Sequence, residues 1–302
     1  MIERRQDVES LAATGLRPDE GVHFPLTQEE TRTLVRAALE EDDAFNDITT
    51  LATVLSDRRA HGVLVARATG VVAGGPLASE AFRQLHPGVN IRVELPDGST
   101  VVSGSPVMAL SGQVRALLSA ERVALNFMQR LSGIATLTAR YVTAVKGTGA
   151  RILDTRKTTP GWRQLEKYAV RCGGAMNHRA DLASAVLIKD NHLSAVDGDI
   201  ALAIRRARGF APPGARVEVE CESVEQVRAA LDAAADIIML DNMSLADLEL
   251  CVSEIAGRAV VEASGGVNLE RVRQIAETGV DWISVGALTH SAPALDLALD
   301  LT

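Results

Sequence analysis

The chain reads as mixed α/β, with an N-terminal α+β sandwich-like domain followed by an open parallel α/β barrel of about seven strands. Three observations carry this. Through the second half, short apolar runs alternate with amphipathic helical stretches, the pattern of βα units. The later runs recur every 20 to 23 residues, a spacing that suits tight units. The first 114 residues instead show period-two alternation around turn residues, as an antiparallel sheet does.

The elements follow in order. "TQEETRTLVRAALEED" from Thr27 opens with a capping box, Thr27 with Glu30, and continues with apolar residues at helical spacing, which predicts a helix to about Asp43. "HGVLVARATGVVAGG" (61–75) is β-branched with a turn at Gly70, and "EAFRQLH" reads as helix. "VNIRVELPDGSTVVSGSPVMALSG" alternates around Pro96, Asp97 and Gly98, and a long helix follows from about Val114 to Lys146.

The barrel strands are expected in "ARILD", "SAVLIKD", "RVEVEC", "DIIML", "AVVEAS" and "DWISVG", with a seventh near 172–177. Ser223 and Ser244 start helices, with Gln226 and Asp247 three residues on. The expected division is 1–130 for the first domain and 131–288 for the barrel, and "SAPALDLALD" reads as an amphipathic helix within 289–302 that packs with the first domain.

Composition narrows the class. With 302 residues, 47% apolar and 23% charged, the chain can bury a sizeable core, and a net charge of −8 argues against nucleic acid as a partner. "MIERRQDVES" lacks the apolar segment of an export signal, and no run approaches the roughly 18 apolar residues of a membrane span. Cys172, Cys221 and Cys251 are far apart with no CxxC pair, so a reducing cytoplasm without disulfides is expected.

Chemistry gathers where a parallel barrel places it, just past the strand ends. Asp154, Thr155, Arg156 and Lys157 follow the first run; Lys189, Asp190, Asn191 and His192 the second; Asp241 and Asn242 the fourth; and "GGAMNHR" adds His178 and Arg179. Residues 151–192 hold eight Lys or Arg against four Asp or Glu, and such an excess in an acidic protein points to a multiply charged anionic ligand. Arg163, Lys167 and Arg171 fall on a helix and read as solvated charges, whereas Arg156, Lys157, Arg179 and Lys189 read as ligand-facing.

In "VEVECE", alternation puts Glu218, Glu220 and Glu222 on one face, aimed into the barrel if Val217, Val219 and Cys221 pack on helices. Lumenal carboxylates need a cationic partner or a metal, and Lys157, Lys189 or a Mg²⁺ shared with a phosphorylated substrate would satisfy them. Ser264, Gly265 and Gly266 end one strand, and Val285, Gly286 and Ala287 end the next, each expected just ahead of a helix. Exposed N–H groups on such turns bind phosphate, and the last two loops are its usual place in these barrels.

In order, "DTRKTTPGWR", "KYAVRCGGAMNHR", "LIKDNH", "EVE", "LDN", "SGGV" and "ETGVDWISVGALTHS" resemble the quinolinate phosphoribosyltransferase family from about Glu121 to the C-terminus. The resemblance implies synthesis of nicotinate mononucleotide from quinolinate and phosphoribosyl pyrophosphate, with release of pyrophosphate and CO2, for NAD biosynthesis. It implies that Thr155, Arg156, Lys157, His178, Arg179 and Lys189 line the quinolinate and pyrophosphate region, and that Lys157, Lys189, Glu220 and Asp241 carry catalysis. It further implies Mg²⁺ near Glu220 and Asp241, the 5'-phosphate on Ser264–Gly266 and Val285–Ala287, and a homodimer or higher homo-oligomer in which Arg122 of "SAERVALN" enters the neighbouring subunit's site.

Asn46 and Ala175 stand where the family usually has glycine, and a methyl at Ala175 puts that loop's φ in question. Three rivals remain at this stage: a paralogue associated with molybdenum transport genes (ModD-like) of uncertain substrate, a Schiff-base aldolase using Lys189, and a non-catalytic metabolite sensor.

Overall fold

The computed structural model describes residues 22–212 and 214–302, so the expectation about the N-terminal leader lies outside the described residues. The chain folds as two compact units.

The first unit comprises 21–139, 159–174 and 291–302. Helix α1 (Gln28–Glu41) starts at the Thr27 capping box, with both reciprocal bonds made. Helix α2 (Ile48–Thr53) is capped by Asp47, whose carboxylate also accepts from Ser119. Strands β1 (Arg59–Ala66), β3 (Asn90–Val93) and β5 (Pro106–Gln113) lie antiparallel in the order β1-β5-β3. Strand β2 (Gly70–Val71) pairs with β4 (Thr100–Val101), so Gly70 begins a strand rather than making a turn. Helix α3 (Gly75–Leu85) contains the expected stretch except His86, which caps it in extended backbone, and begins earlier. The Asp97 carboxylate accepts from the Gly74 and Gly75 N–H groups and from the Tyr168 hydroxyl.

Helix α4 (Val114–Ala144) is the expected long helix, and α5 (Arg163–Cys172) folds with this unit. Glu166 on α5 is fully buried and accepts from Arg130 Nη2 at 2.9 Å and from the Thr159 N–H and hydroxyl. The solvated reading of Lys167 is corrected: it is 5% exposed, because α5 is packed on most of its circumference. The C-terminal helix is corrected too. Residues Leu297–Leu301 form β12, antiparallel to β1 with Leu64 opposite Leu299. Leu297, Leu299 and Leu301 alternate with Ala298 and Asp300, the period of a strand.

The second unit holds 140–158 and 175–290. Its six parallel strands are β6 (Arg151–Leu153), β7 (Val186–Ile188), β8 (Val217–Cys221), β9 (Ile237–Asp241), β10 (Val260–Ser264) and β11 (Trp282–Ser284). All six match the apolar runs. They lie in the order β6-β11-β10-β9-β8-β7. The seventh strand is reduced to one residue: Met176 bridges Leu153 in parallel, its N–H donating to the Ile152 carbonyl at 2.9 Å.

Helices α6 (Asp190–Ser194), α7 (Ile200–Phe210), α8 (Val224–Asp232) and α9 (Leu245–Ile255) connect the strands, with Ser223 and Ser244 capping α8 and α9 as expected. Helices α10 (Val272–Glu277) and α11 (Ala287–His290) follow β10 and β11. Leu153, Ile237, Val260 and Trp282 form a buried cluster with Met176 packed against it. Cys172, Cys221 and Cys251 are buried and free, and among the described residues no helix is long and apolar enough to cross a membrane.

Candidate active site at the strand ends

Because all six strands run the same way, their C-terminal ends share one end of the sheet. Asp154 to Lys157 follow β6, Lys189 follows β7, Glu220 and Asp241 lie in the last two positions of β8 and β9, Ser264 ends β10, and Val285 to Ala287 follow β11. The loop Asn177–Arg179 follows the Met176 bridge. Asp154, fully buried, holds it by accepting from Asn177 Nδ2 at 2.6 Å and from the His178 N–H at 2.8 Å.

Beneath the rim the sheet is acidic. The pleat turns Val260, Glu262 and Ser264 of β10 to one face and Glu218 and Glu220 of β8 to one face, and all three glutamates are buried: Glu218 at 2%, Glu220 at 9%, Glu262 at 0% exposure. Glu222, past the end of β8, is exposed. His178 Nε2 stands 3.3 Å from Glu218 Oε2 and 3.5 Å from Glu262 Oε2, while Ser284 Oγ donates to Glu262 Oε1 at 2.5 Å.

The electrostatics of this cluster pull two ways. Burial disfavours a charged imidazole, but Glu262 and Glu218 outweigh it and push the His178 pKa up to about 10. Burial, reinforced by Glu262, pushes Glu218 up to about 7. Yet His178 Nδ1 accepts the Arg179 N–H at 2.7 Å, which a doubly protonated ring could not do. That bond fixes the proton on Nε2 in this arrangement. The cluster as a whole holds protons more tightly than its isolated members.

The cations form the rim. Lys189 Nζ pairs with Glu220 Oε2. Arg179 Nη1 donates to the Ala185 carbonyl at 3.0 Å, and burial together with neighbouring Arg156 lowers its pKa. Two guanidiniums close enough to repel one another favour an anion between them. Arg156 is half-buried with Nε inside and unbonded, and Lys157 is exposed.

Two glycine turns complete the rim. Gly265 and Gly266 have φ of +87° and +60°, and a Cβ on Gly265 would lie 2.2 Å from Asn242 Oδ1, so only glycine fits. Asn242 also donates to Asp241 Oδ2 at 2.7 Å. The expectation of a helix directly after this turn is corrected, since α10 starts only at Val272. Gly286 does adjoin a helix, and a Cβ there would meet Lys157 Cδ at 3.1 Å.

Of the predicted site residues, all but one lie in this unit at or beside the strand ends; Arg122 is on the exposed side of α4 in the other unit. Ala175 avoids the left-handed region because Gly174 takes it, with φ +86°, and Asn46 Nδ2 bonds Asp43 in ordinary backbone. Sequence reasoning missed Glu262, Ser284 and Thr289; only the period-two parity of "VVEAS" could have flagged the first.

Known proteins resemble this chain along most of its length. Residues 134–300 match the family model for the quinolinate phosphoribosyl transferase C-terminal domain, and residues 47–132 match the N-terminal one. The nicotinate-nucleotide pyrophosphorylase [carboxylating] of Mycobacterium leprae (strain TN) is 44% identical over 276 residues, 89% of this chain and 96% of that protein. The probable nicotinate-nucleotide pyrophosphorylase [carboxylating] of Bacillus subtilis (strain 168) is 41% identical, covering 87% of this chain and 90% of that protein. The solved structure of the nicotinate-nucleotide pyrophosphorylase from Francisella tularensis superposes with a TM-score of 0.88 at 39% identity, covering 92% of this chain and 98% of that one. The chain therefore belongs to the quinolinate phosphoribosyl transferase family.

Proposed function

We infer that the protein is a pentosyltransferase of NAD biosynthesis, transferring phosphoribosyl from phosphoribosyl pyrophosphate to quinolinate with decarboxylation to give nicotinate mononucleotide, pyrophosphate and CO2. The observation that carries this is the convergence of Arg156, Lys157, Arg179 and Lys189 with two glycine turns at one end of a parallel sheet. Both substrates are polyanions, and such a rim suits them.

Quinolinate's carboxylates sit on Arg156, Arg179 and Thr155, with His178 beside them. The 5'-phosphate takes the N–H groups of Ser264–Gly266 and Val285–Ala287. Lys157 and Lys189 face the pyrophosphate. As the C1–O bond breaks, charge builds on that leaving group, and cations placed there act most strongly at that moment.

The pyridine nitrogen gives its lone pair to C1. The ring is then cationic and accepts the electron pair left at C2 when the C2–carboxylate bond breaks to release CO2; a proton then adds at C2. No covalent nucleophile is needed. Lys189, already paired with Glu220, is a poor imine-forming amine, which speaks against the aldolase alternative.

Glu220 and Asp241 offer hard carboxylate oxygens at neighbouring strand ends, a donor set that fits Mg²⁺ held jointly with substrate phosphates. When bound, the ion neutralises pyrophosphate charge. The protein works in the cytoplasm as at least a homodimer, with Arg122 completing the partner's site.

The test is release of CO2 from carboxyl-labelled quinolinate by the purified protein. Release should require both phosphoribosyl pyrophosphate and a divalent ion, and nicotinate should be a poor substrate. Equal turnover of nicotinate and quinolinate would overturn the assignment.

A further inference from the structure

Beneath the proposed substrate rim, two fully buried carboxylates from different strands, Glu218 of β8 and Glu262 of β10, face one imidazole. Burying two like charges together is costly unless they do something for the fold or the site. Three arrangements could account for them: a metal ion, a substrate-binding histidine with carboxylate support, or a histidine that serves another residue.

The ring's second nitrogen decides between them. A metal on Nε2 needs a lone pair there, which puts the proton on Nδ1. Nδ1 instead accepts the Arg179 N–H at 2.7 Å. The proton is therefore on Nε2, between Glu218 Oε2 and Glu262 Oε2, and there is no room in this bonding pattern for a cation ligated by His178. The same fact removes the second arrangement. With Nε2 buried beside the two carboxylates and Nδ1 bonded to the backbone, the imidazole has no exposed nitrogen to offer quinolinate.

What the ring does hold is Arg179. Its N–H is bonded to His178, the His178 N–H is bonded to Asp154 Oδ1, and Arg179 Nη1 reaches the Ala185 carbonyl. We propose that Glu218 and Glu262 are positioning residues which lock His178 as the Nε2–H tautomer, so that His178 in turn fixes the backbone from which Arg179 meets a quinolinate carboxylate. Ser284 extends the chain by orienting Glu262 through its 2.5 Å bond. The order of action is Ser284 to Glu262, Glu262 with Glu218 to His178, and His178 to Arg179. This assignment rests on the proposed quinolinate-binding role of Arg179.

Two measurements on the intact enzyme test it. Long-range 1H–15N correlation spectra of the 15N-histidine-labelled protein, with His178 assigned by His178→Asn, should show the Nε2–H tautomer in the free enzyme and with quinolinate bound; an Nδ1–H tautomer in either state would overturn the proposal without reference to activity. The second is a double-mutant cycle. Glu262→Gln alone should raise the quinolinate KM by about tenfold, with kcat and the phosphoribosyl pyrophosphate KM changed less than about twofold, and Glu262→Asp should recover part of the loss. In a His178→Asn background the same substitution should add less than about twofold. Effects that multiply would mean that Glu262 acts independently of His178, and the proposed relay would be wrong. Should His178→Asn fail to fold, Glu262→Gln paired with Glu218→Gln serves the same cycle, sub-multiplicative effects being expected. Arg179→Ala separates the two levels: an unchanged quinolinate KM there would fault the binding role of Arg179, while the tautomer would still report on the lock.

Discussion

Thr289 Oγ1 donates to the Lys157 carbonyl at 2.7 Å and lies 3.2 Å from the Gly286 carbonyl. A buried hydroxyl on the last connection of the barrel thus holds the loop that carries the first cations. Gly286 lies against the Lys157 side chain from the same turn, so the proposed phosphate turn and Lys157 share one anchor.

Thr289→Val keeps the shape and removes the donor. It should cost about 1–3 kcal/mol of stability, the penalty of leaving a buried carbonyl unpaired. The phosphoribosyl pyrophosphate KM should rise about tenfold with the quinolinate KM little changed, because Lys157 and the phosphate turn lose their common anchor. Thr289→Ser should behave nearly as the parent. Thermal unfolding and two-substrate kinetics check both halves, and a Val variant with parental KM would detach Thr289 from the site.

Glu220 and Asp241 present hard oxygen donors, and Glu220 also neutralises Lys189. Glu220→Gln and Asp241→Asn should weaken the Mg²⁺ response of kcat/KM by about tenfold or more while shifting the melting temperature by only a few degrees. A Mg²⁺ titration with the parent's midpoint in both variants would remove these residues from the metal region.

The buried cluster makes a prediction about stability against pH. The folded-state pKa of Glu218 is raised to about 7, chiefly by burial. The native state then binds protons more tightly than the unfolded chain, so the cluster's contribution is greatest at low pH and declines as pH rises. It is complete below about pH 4.5, the ordinary value, and is lost as pH rises through about 7. Between about pH 4.5 and about pH 7 the parent should lose stability relative to a Glu218→Gln, Glu262→Gln double variant. His178→Ala should destabilise strongly, by about 3–5 kcal/mol, since both carboxylates lose the partner between them. A parent that gains stability relative to the double variant over this range would contradict the sign.

The strands, the long helix and the serine caps of α8 and α9 were legible because periodicity and capping chemistry are local. Glu218 and Glu220 were legible because three glutamates alternate with three apolar residues. Glu262 was not, since a single carboxylate inside "AVVEAS" does not disturb an apolar run, and its partner His178 lies 84 positions away in a loop. Strand β12 was misread because seven residues rich in Leu and Ala satisfy a helical period nearly as well as a strand's, and only pairing with β1 decides. The burial of Lys167 depends on what surrounds α5, which no local pattern encodes.

Arg122 is exposed on α4 and, by the proposed assembly, is delivered into a partner's site. If each site is completed by the other chain, the working unit is a symmetric dimer or a multiple of one. Arg122→Ala should then lose about 1.5–3 kcal/mol of quinolinate affinity, the scale of a charge-assisted hydrogen bond, while assembly survives. Lys189→Ala should be inactive for a different reason, since its own strand end lacks the cation. In a hybrid dimer of the two variants, the barrel of the Arg122→Ala chain keeps its lysine and receives an intact arginine from the Lys189→Ala chain. At a quinolinate concentration too low for the Arg122→Ala protein alone, mixing the two should therefore restore up to about one working site per hybrid dimer, and activity should grow with subunit exchange followed by native mass spectrometry. Exchange without recovered activity would mean that Arg122 serves its own subunit or none.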